Sequence, residues 1–403
     1  MTDLGMLTPG AHRVAGLADD EALVAALVRV ETAWFRVLAG QGAATPDQLA
    51  AVESAAATWR PDLSGLAAEG EDGGNPVLPV LRGLRAHVAE RDDSAAALLH
   101  RGLTSQDVLD TALMLLAAGT VRRVSAHLDA VGCALGRHAE EHRASVMAGR
   151  TLTQHAVPVT FGLKAAQWLA GTLDALDQLE RLQLPAQCGG AAGTRALAGQ
   201  LLPDPAGAAE SFAVLLGLAF DPMPWHTRRT PVTRLGDALV GVCDALGVIG
   251  SDVALLSRPE IAELSEGAPE GRGGSSTMPH KRNPVLGVLL RAAAQQAPLL
   301  GAQLHLAAGS VVDERPDGAW HAEWPALRRL MVVTATAAAQ AADLVPHLEV
   351  HADTMRDRAV GAAEVLLAER GTGGADPASY LGANDALVDH ALTRLRAREP
   401  RHG

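Results

Sequence analysis

The chain has 403 residues, a formal net charge of −12 and an aromatic content of only 3%. This acidic balance argues against non-specific binding to nucleic acid, although a local basic pocket remains compatible with it. Three scattered cysteines are too few for a disulfide framework or a zinc knuckle. The N-terminus lacks a signal-peptide pattern, and no uncharged run has the length and apolar density of a membrane span. We therefore expect a soluble, cytoplasmic protein with neither nucleic-acid nor membrane partners.

The first hundred residues carry short helical patterns separated by turn signals. Alanine and leucine dominate the composition, and both favour helix over strand. Apolar positions at helical spacing predict a helix over residues 20–40, and Thr45 before Pro46 is a plausible cap of the next one. A further helix is expected from Val77 to about Glu90. These elements predict an N-terminal helical domain at residues 1–104.

Longer helical patterns follow, at about 105–144, 157–184, 230–265, 284–308 and 317–345. At about 1.5 Å per residue, helices of this length form an elongated bundle. Several are apolar on more than one face, as at Ala238–Val248, which suggests burial between chains. The prediction is an all-α fold with a central long-helix bundle at residues 105–345 and a shortened C-terminal helical segment at 346–403.

One stretch stands out for its chemistry, the glycine- and hydroxyl-rich run from Gly271 to Pro284. Glycines let a backbone approach a ligand closely. Asn283 before Pro284 is typical of an N-cap followed by the first residue of a helix, where negative charge is favoured. Because Lys281 adds a positive charge beside that helix start, the run predicts binding of an anion, most simply a carboxylate.

Residues 275–284 of this run resemble the signature of the fumarase/aspartase superfamily. Residues 5–40, 74–80, 224–229 and 313–324 resemble its 3-carboxy-cis,cis-muconate cycloisomerase branch, while other features are similar to adenylosuccinate lyases. The resemblance implies that this loop closes over a dicarboxylate, with Ser275 as general base and Lys281 and Asn283 holding a substrate carboxylate. Met278 is a further expected substrate contact. The resemblance also implies a homotetramer with active sites shared between subunits, and no cofactor or metal.

Two further regions match the family. Thr104, Ser105 and Gln106 fall on its carboxylate-binding positions at the start of a long helix, although an ordinary capped helix would have the same sequence. Thr151 falls on a substrate-binding threonine. His155 falls on the general acid of the adenylosuccinate lyase branch, a role that suits a group titrating near neutrality; alternatively it is a packed histidine.

Arg315 and His321 are also candidate active-site residues, and either one could instead be structural. Leu152 stands where many members have histidine, and Trp324 stands where adenylosuccinate lyases have arginine. Arg195 replaces an expected apolar residue, so it is either a surface arginine or an additional anion clamp.

His138 and His142, with glutamates between them, have a spacing compatible with metal binding, but a solvated helix face is the preferred interpretation. The third domain of the family is reduced here to a glycine turn at residues 371–374.

The residue types together predict proton abstraction next to a carboxylate, with addition or elimination at the β-carbon. The preferred hypothesis is a cycloisomerase similar to the 3-carboxy-cis,cis-muconate enzymes. The alternative is a lyase that releases fumarate from a substituted succinate, of the adenylosuccinate, aspartate or nitrosuccinate type. A non-catalytic structural homologue is the third possibility, and the intact Ser275, Lys281 and Asn283 argue against it.

Overall fold

The computed structural model of the chain describes residues 6–267, 272–275, 277, 278, 281–371 and 376–398. Within these ranges helices dominate, so the prediction of an all-α, fumarase/aspartase-like fold is confirmed. The first helices in chain order are α1 (Asp20–Gly40), α2 (Pro46–Thr58), α3 (Leu63–Gly73), α4 (Val77–Ala89) and α5 (Asp93–Leu98). A 3₁₀ helix at Ala11–Val14 precedes them.

The remaining elements are longer on average and include four short strands among the described residues. They are α6 (Ser105–Glu141), β1 (Val146–Thr151), β2 (Gln154–Thr160), α7 (Phe161–Glu180), α8 (Ala196–Leu201), α9 (Pro205–Leu216), α10 (Thr230–Leu256), β3 (Leu264–Ser265), α11 (Val285–Ala308), α12 (Gly318–Leu344), β4 (Glu349–Val350), α13 (Ala352–Gly361), α14 (Ala363–Leu366) and α15 (Asn384–Arg398). Short 3₁₀ turns lie at Val345–His347, Ala368–Arg370 and Pro377–Ser379.

Local chemistry explains where the N-terminal helices start. The Asp19 side chain accepts the backbone N–H of Ala22 and caps α1. Thr45 and Gln48 form a reciprocal capping box at α2, with Pro46 in the first turn. The predicted helices at 20–40 and from Val77 are therefore confirmed, and so is the cap at Thr45.

The chain divides into two compact units by its internal contacts. Unit 1 comprises residues 1–122, 181–237 and 299–332, and unit 2 comprises residues 123–180, 238–298 and 333–403. The long helices α6, α10, α11 and α12 contribute residues to both units. The three-part division expected from the sequence stays a prediction.

Unit 1 has its own aromatic core. Trp34 of α1 is fully buried, donates its indole N–H to the Arg101 carbonyl over 2.8 Å, and meets the Phe212 ring of α9 edge-on at 5.6 Å. An indole that is buried with its N–H satisfied contributes apolar area without a desolvation penalty. This contact packs α1 against α9 within unit 1.

Helix α7 in unit 2 carries an internal aromatic contact and ion pairs to another helix. Phe161 and Trp168 of α7 pack edge-on at 5.7 Å. Along the other side of α7, Arg394 of α15 forms ion pairs with Asp174 and Asp177 at 2.7 Å. The C-terminal helix α15 therefore packs on α7. Residues 372–375, which include most of the predicted glycine turn, lie outside the described residues.

Two helices, α10 and α11, are long and apolar enough to cross a membrane by length and composition alone. This differs from the sequence expectation that no segment has such a character. Half of the apolar window in α10 and a third of that in α11 are buried within the chain. Core helices of a helical bundle meet the same criteria, because they are apolar on several faces.

Candidate active site

The base of the signature loop in unit 2 is closed by Gly273 and Asn283. The backbone N–H and the side-chain amide of Asn283 both donate to the Gly273 carbonyl, over 2.8 and 3.0 Å. Gly273 has φ +74°, and a Cβ there would lie 2.4 Å from the Asn283 carbonyl oxygen. Only glycine fits this crossing without displacing the chain. Arg272, beside it, pairs with Asp343 of α12 at 2.9 Å.

The hydroxyl of Ser275 accepts hydrogen bonds from the loop's own backbone. The N–H groups of Thr277 and Met278 lie 3.4 and 3.2 Å from its Oγ. Two donors aimed at a hydroxyl oxygen stabilise the alkoxide that a serine base must form. Met278 and Lys281 are exposed, and the Lys281 N–H donates to the Met278 carbonyl over 3.0 Å. Ser275, Met278, Lys281 and Asn283 therefore belong to one turn-rich loop.

Three residues of the signature, Ser276, Pro279 and His280, lie outside the described residues, as does Gly271 at the start of the run.

The helix that follows the loop starts differently from the prediction. It begins at Val285 rather than at Pro284, and the Asn283 side chain points back to Gly273 instead of capping it. The Glu266 carboxylate accepts the N–H groups of Leu286 and Gly287 over 3.2 and 2.7 Å. These two N–H groups are therefore occupied by a side chain of the protein itself, and binding of a substrate carboxylate by Lys281 and Asn283 stays a prediction.

Glu266 was missed by the sequence reasoning, because an acidic residue twenty positions before a helix carries no local capping signal. Burial raises the pKa of Glu266, while its backbone hydrogen bonds and Arg272 oppose that rise. A buried carboxylate that fixes the end of the loop is a structural anchor, since its oxygens are already occupied.

Thr151 and His155 lie at the tip of a β-hairpin in unit 2. Thr151 ends β1 and pairs with Gln154, and His155 in β2 pairs with Arg150. Leu152 and Thr153 form the turn with positive φ angles of 49° and 70°. Both predicted site residues are exposed in this chain.

The hairpin is anchored below its tip. Arg150 makes a bidentate pair with the buried Glu263 carboxylate, at 2.7 and 3.0 Å. The helix predicted from about residue 157 is wrong at its start: β2 runs to Thr160, and α7 begins at Phe161. The strand propensity of Val157, Val159 and Thr160 was the available signal.

Thr104, Ser105 and Gln106 lie in unit 1, where α6 begins at Ser105. Thr104 is buried, and its backbone N–H donates to the Asp107 carboxylate over 3.0 Å. Gln106 is fully buried, and its amide nitrogen donates to the carbonyl of His226 over 3.0 Å. The amide of Gln106 therefore ties the helix start to a neighbouring segment, and its role in binding substrate stays a prediction.

A buried charge network lies one turn further along α6. The Arg229 guanidinium donates to Asp110 over 2.7 and 3.0 Å and to Glu323 over 2.7 Å. Trp320 also donates its indole N–H to Asp110 over 2.9 Å, and Arg229 lies over the Trp225 ring. Burial raises the pKa of Glu323 and the Arg229 partner opposes this. Residues of the cycloisomerase-like segments 224–229 and 313–324 take part in this network, so some residues of these segments have a structural role.

The other candidate site residues in unit 1 differ in exposure and in their hydrogen-bond partners. Arg315 is half-buried, and the exposed His321 has its ring nitrogens 2.8 and 2.7 Å from the carbonyl oxygens of Asp317 and Gly74. Arg195 is half-buried and donates to the carbonyls of Cys188 and Pro222 over 2.8 and 3.0 Å. Its guanidinium therefore braces two loops.

His138, Glu141 and His142 have ligand atoms within 4.8 Å of one another, which is compatible with metal binding. One ring nitrogen of His138 faces the Val345 carbonyl at 2.9 Å, and one of His142 faces the Ser145 hydroxyl at 3.0 Å. Burial, together with the neighbouring His138, lowers the pKa of His142. The two imidazoles therefore have roles in packing this helix end, which differs from a fully solvated face.

The chain combines an all-α fold of long helices with a loop that carries serine, lysine and asparagine. Comparison with known proteins identifies the enzyme family to which this combination belongs. A family model described as Lyase matches residues 80–299. Nitrosuccinate lyase from Streptomyces davaonensis is 44% identical over 367 residues, which are 88% of this chain and 77% of that protein. The 3-carboxy-cis,cis-muconate cycloisomerase of Bradyrhizobium diazoefficiens is 38% identical over 402 residues, covering 98% and 87%.

Solved structures agree with the sequence relatives. The crystal structure of 3-carboxy-cis,cis-muconate lactonizing enzyme from Pseudomonas putida superposes with a TM-score of 0.86 at 30% identity, covering 96% of this chain and 97% of that one. The chain belongs to this lyase family, within the fumarase/aspartase superfamily. It is an enzyme of the family's cycloisomerase and lyase type, which acts on small carboxylates.

Proposed function

We propose that the enzyme abstracts a proton next to a substrate carboxylate and makes or breaks a bond at the β-carbon, with Ser275 as the base. The observation that carries this is the pair of backbone N–H groups, of Thr277 and Met278, directed at the Ser275 Oγ. A serine hydroxyl is a poor base in water. Preorganised amides lower the cost of its alkoxide in the same way that an oxyanion hole stabilises developing charge.

Lys281 and Asn283 bind the carboxylate of the substrate in this proposal. Removing the proton places a second negative charge on that carboxylate, and an ammonium group stabilises it electrostatically. One hydrogen of the Asn283 amide is used on Gly273, so the second is left for the substrate. Met278 is exposed in the same loop and contacts the bound substrate.

The remaining candidate residues bind the substrate or donate a proton to it. Thr104, Ser105 and the first-turn amides of α6 hold a second carboxylate, because a helix N-terminus favours negative charge. Thr151 adds a hydroxyl, and His155 is the general acid for the leaving group. Gln106, Arg315 and His321 complete the set of proposed substrate contacts.

The first proposed substrate is 3-carboxy-cis,cis-muconate. Its carboxylate oxygen adds to one carbon of a double bond and a proton adds to the other carbon, which forms a lactone; in this direction Ser275 delivers the proton that it abstracts in the reverse elimination. Relatives named for this reaction match nearly the whole chain, and so does the solved lactonizing enzyme. This assignment implies a role in the catabolism of aromatic compounds.

The second proposed substrate is nitrosuccinate, because the relative named for its cleavage shares 44% of aligned residues with this chain. In that reaction a proton leaves the carbon beside one carboxylate, and nitrite departs from the neighbouring carbon. The products are fumarate and nitrite, so the two hypotheses have different products.

We further propose a cytoplasmic homotetramer with active sites shared between subunits. The support is a set of apolar side chains exposed on α10 and α11: Val248, Leu255, Val288, Leu299 and Leu306. Exposed apolar surface on long helices favours association with other chains.

A two-arm assay with purified enzyme tests the function. One arm follows the diene absorbance of 3-carboxy-cis,cis-muconate, and the other measures fumarate and nitrite from nitrosuccinate, with adenylosuccinate and aspartate as further candidates. We expect at least about one turnover per second in one arm, within the range of ordinary enzymes. Absence of turnover with every compound, by folded protein, would contradict the proposal.

A further inference from the structure

One buried carboxylate in unit 1, that of Asp107, joins three segments of the chain. It is fully buried in the first turn of α6. It accepts the N–H of Thr104 over 3.0 Å, of Gly189 over 2.8 Å and of Gly190 over 2.9 Å, and it lies 2.8 Å from Nε2 of His226. The carboxylate therefore fixes the turn that opens α6, the glycine loop at 189–190 and the segment containing His226.

All the groups around Asp107 are donors, provided that His226 carries its proton on Nε2. Two carboxylate oxygens can accept four such hydrogen bonds, and each oxygen here accepts two. An asparagine would satisfy only the two donors at its oxygen, and would bring its own N–H₂ against the other two. Position 107 therefore requires both the negative charge and the two acceptor oxygens of a carboxylate.

The contact between Asp107 and Thr104 has a consequence for the helix start. The third helical residue reaches back to the backbone N–H of Thr104, which is one half of a capping box. The other half would engage the Thr104 hydroxyl, but no hydrogen bond of that hydroxyl is found among the described residues. The turn is therefore fixed through its backbone, and the hydroxyl remains available to a ligand.

His226 holds the same helix start in two ways. Its ring nitrogen Nε2 bonds Asp107, and its backbone carbonyl accepts the side-chain amide of Gln106 over 3.0 Å. The imidazole is 3% exposed, so water does not compete for the contact with Asp107. Losing the ring nitrogen would leave a buried carboxylate one donor short and free to reorient.

We propose that His226 is a positioning residue for substrate binding, acting through Asp107 on the turn of Thr104, Ser105 and Gln106. The inference rests on the proposed function of this turn as a carboxylate-binding site. His226 does not touch the reacting atoms; it sets the orientation of the carboxylate that holds the turn. Its loss therefore affects binding of the substrate carboxylate more than the chemical step.

The test compares His226→Gln with His226→Asn in the full-length enzyme. The glutamine amide nitrogen reaches the position of Nε2, whereas the asparagine amide falls short of Asp107. We expect His226→Asn to raise KM at least about tenfold with kcat changed by less than about threefold, the pattern of lost uniform binding. His226→Gln should keep KM within about threefold of the wild type.

A second readout separates this inference from the proposed function. Hydrogen exchange of the amides of Thr104, Gly189 and Gly190 should be faster in His226→Asn, and faster still in Asp107→Asn, with native rates in His226→Gln. Equal KM and equal exchange in the Asn and Gln variants would overturn the inference. A wild-type enzyme inactive on all compounds would refute the proposed function, and exchange rates would still decide whether His226 orders the turn.

Discussion

At the scale of single residues, burial determines which groups stay neutral. Burial raises the pKa of the Cys188 and Cys243 thiols to about 12, from an ordinary value of 9.0. Asp107 adds to this shift at Cys188, while Arg195 opposes it, and the hydroxyl of Thr334 opposes the shift at Cys243. Both thiols are free and buried, whereas Cys133 is exposed. The two buried thiols therefore behave as small apolar side chains that resist ionisation.

This predicts a specific loss of stability in alkali. The Cys243 thiol has a pKa of about 12 in the folded protein. Below pH 9 it is protonated in both the folded and the unfolded chain, so its full contribution to the free energy of unfolding is present there. Above pH 9 the unfolded chain releases the proton and the folded chain does not, so stability falls by up to about 1.4 kcal/mol per pH unit for each thiol.

The measurement is urea unfolding of the wild type and Cys243→Ala between pH 8 and 10.5. Cys243→Ala should be less stable at pH 8, because it leaves a small cavity, and should lose less stability as the pH rises. Parallel pH profiles for the two proteins would contradict the assigned burial effect.

At the scale of elements, the signature loop is held at both ends by different devices. Arg272 is paired with Asp343, Gly273 accepts two hydrogen bonds from Asn283, and Glu266 anchors the start of α11. The section that carries Ser275 lies between these anchors. A loop fixed at its base can place a serine base reproducibly, which catalysis by proton abstraction requires.

Gly273→Ala tests this arrangement of the loop. The added Cβ would lie 2.4 Å from the Asn283 carbonyl, and the φ of +74° is strained for alanine. We expect kcat/KM to fall by at least about tenfold, since small displacements of catalytic groups cost this much or more. Gly40→Ala is the matched control, because a Cβ there meets no atom of any described residue within 4 Å. Normal activity in Gly273→Ala would mean that the loop base does not position Ser275.

Sequence periodicity predicts most of the helices, whereas the site residues stay predictions. The helices α1, α4, α6, α11 and α12 follow their apolar patterns to within a few residues, because local spacing and caps determine them. The hairpin around Thr151 was missed, because its strands are short and lead directly into a helix. Glu266 and the ion network of Arg229 depend on contacts between residues distant in sequence, which local sequence patterns do not reveal.

At the scale of the whole molecule, the chain consists of two compact units that share four long helices. The proposed carboxylate-binding turn belongs to unit 1, whereas Ser275, Lys281 and His155 belong to unit 2. Apolar side chains remain exposed on α10 and α11, such as Leu299 at 73% and Leu306 at 72%. Burying such groups is worth roughly 1.5–3 kcal/mol each, which favours the proposed tetramer.

Ser275 is the proposed base, and the substitution Ser275→Ala tests this role. With whichever substrate the wild type turns over, Ser275→Ala should lower kcat by at least about a hundredfold while KM changes little, the signature of a lost general base. Ser310→Ala is the control, since within the described part of the chain that exposed hydroxyl bonds only the Leu306 carbonyl. Near-normal turnover by Ser275→Ala would contradict the account and require a different base.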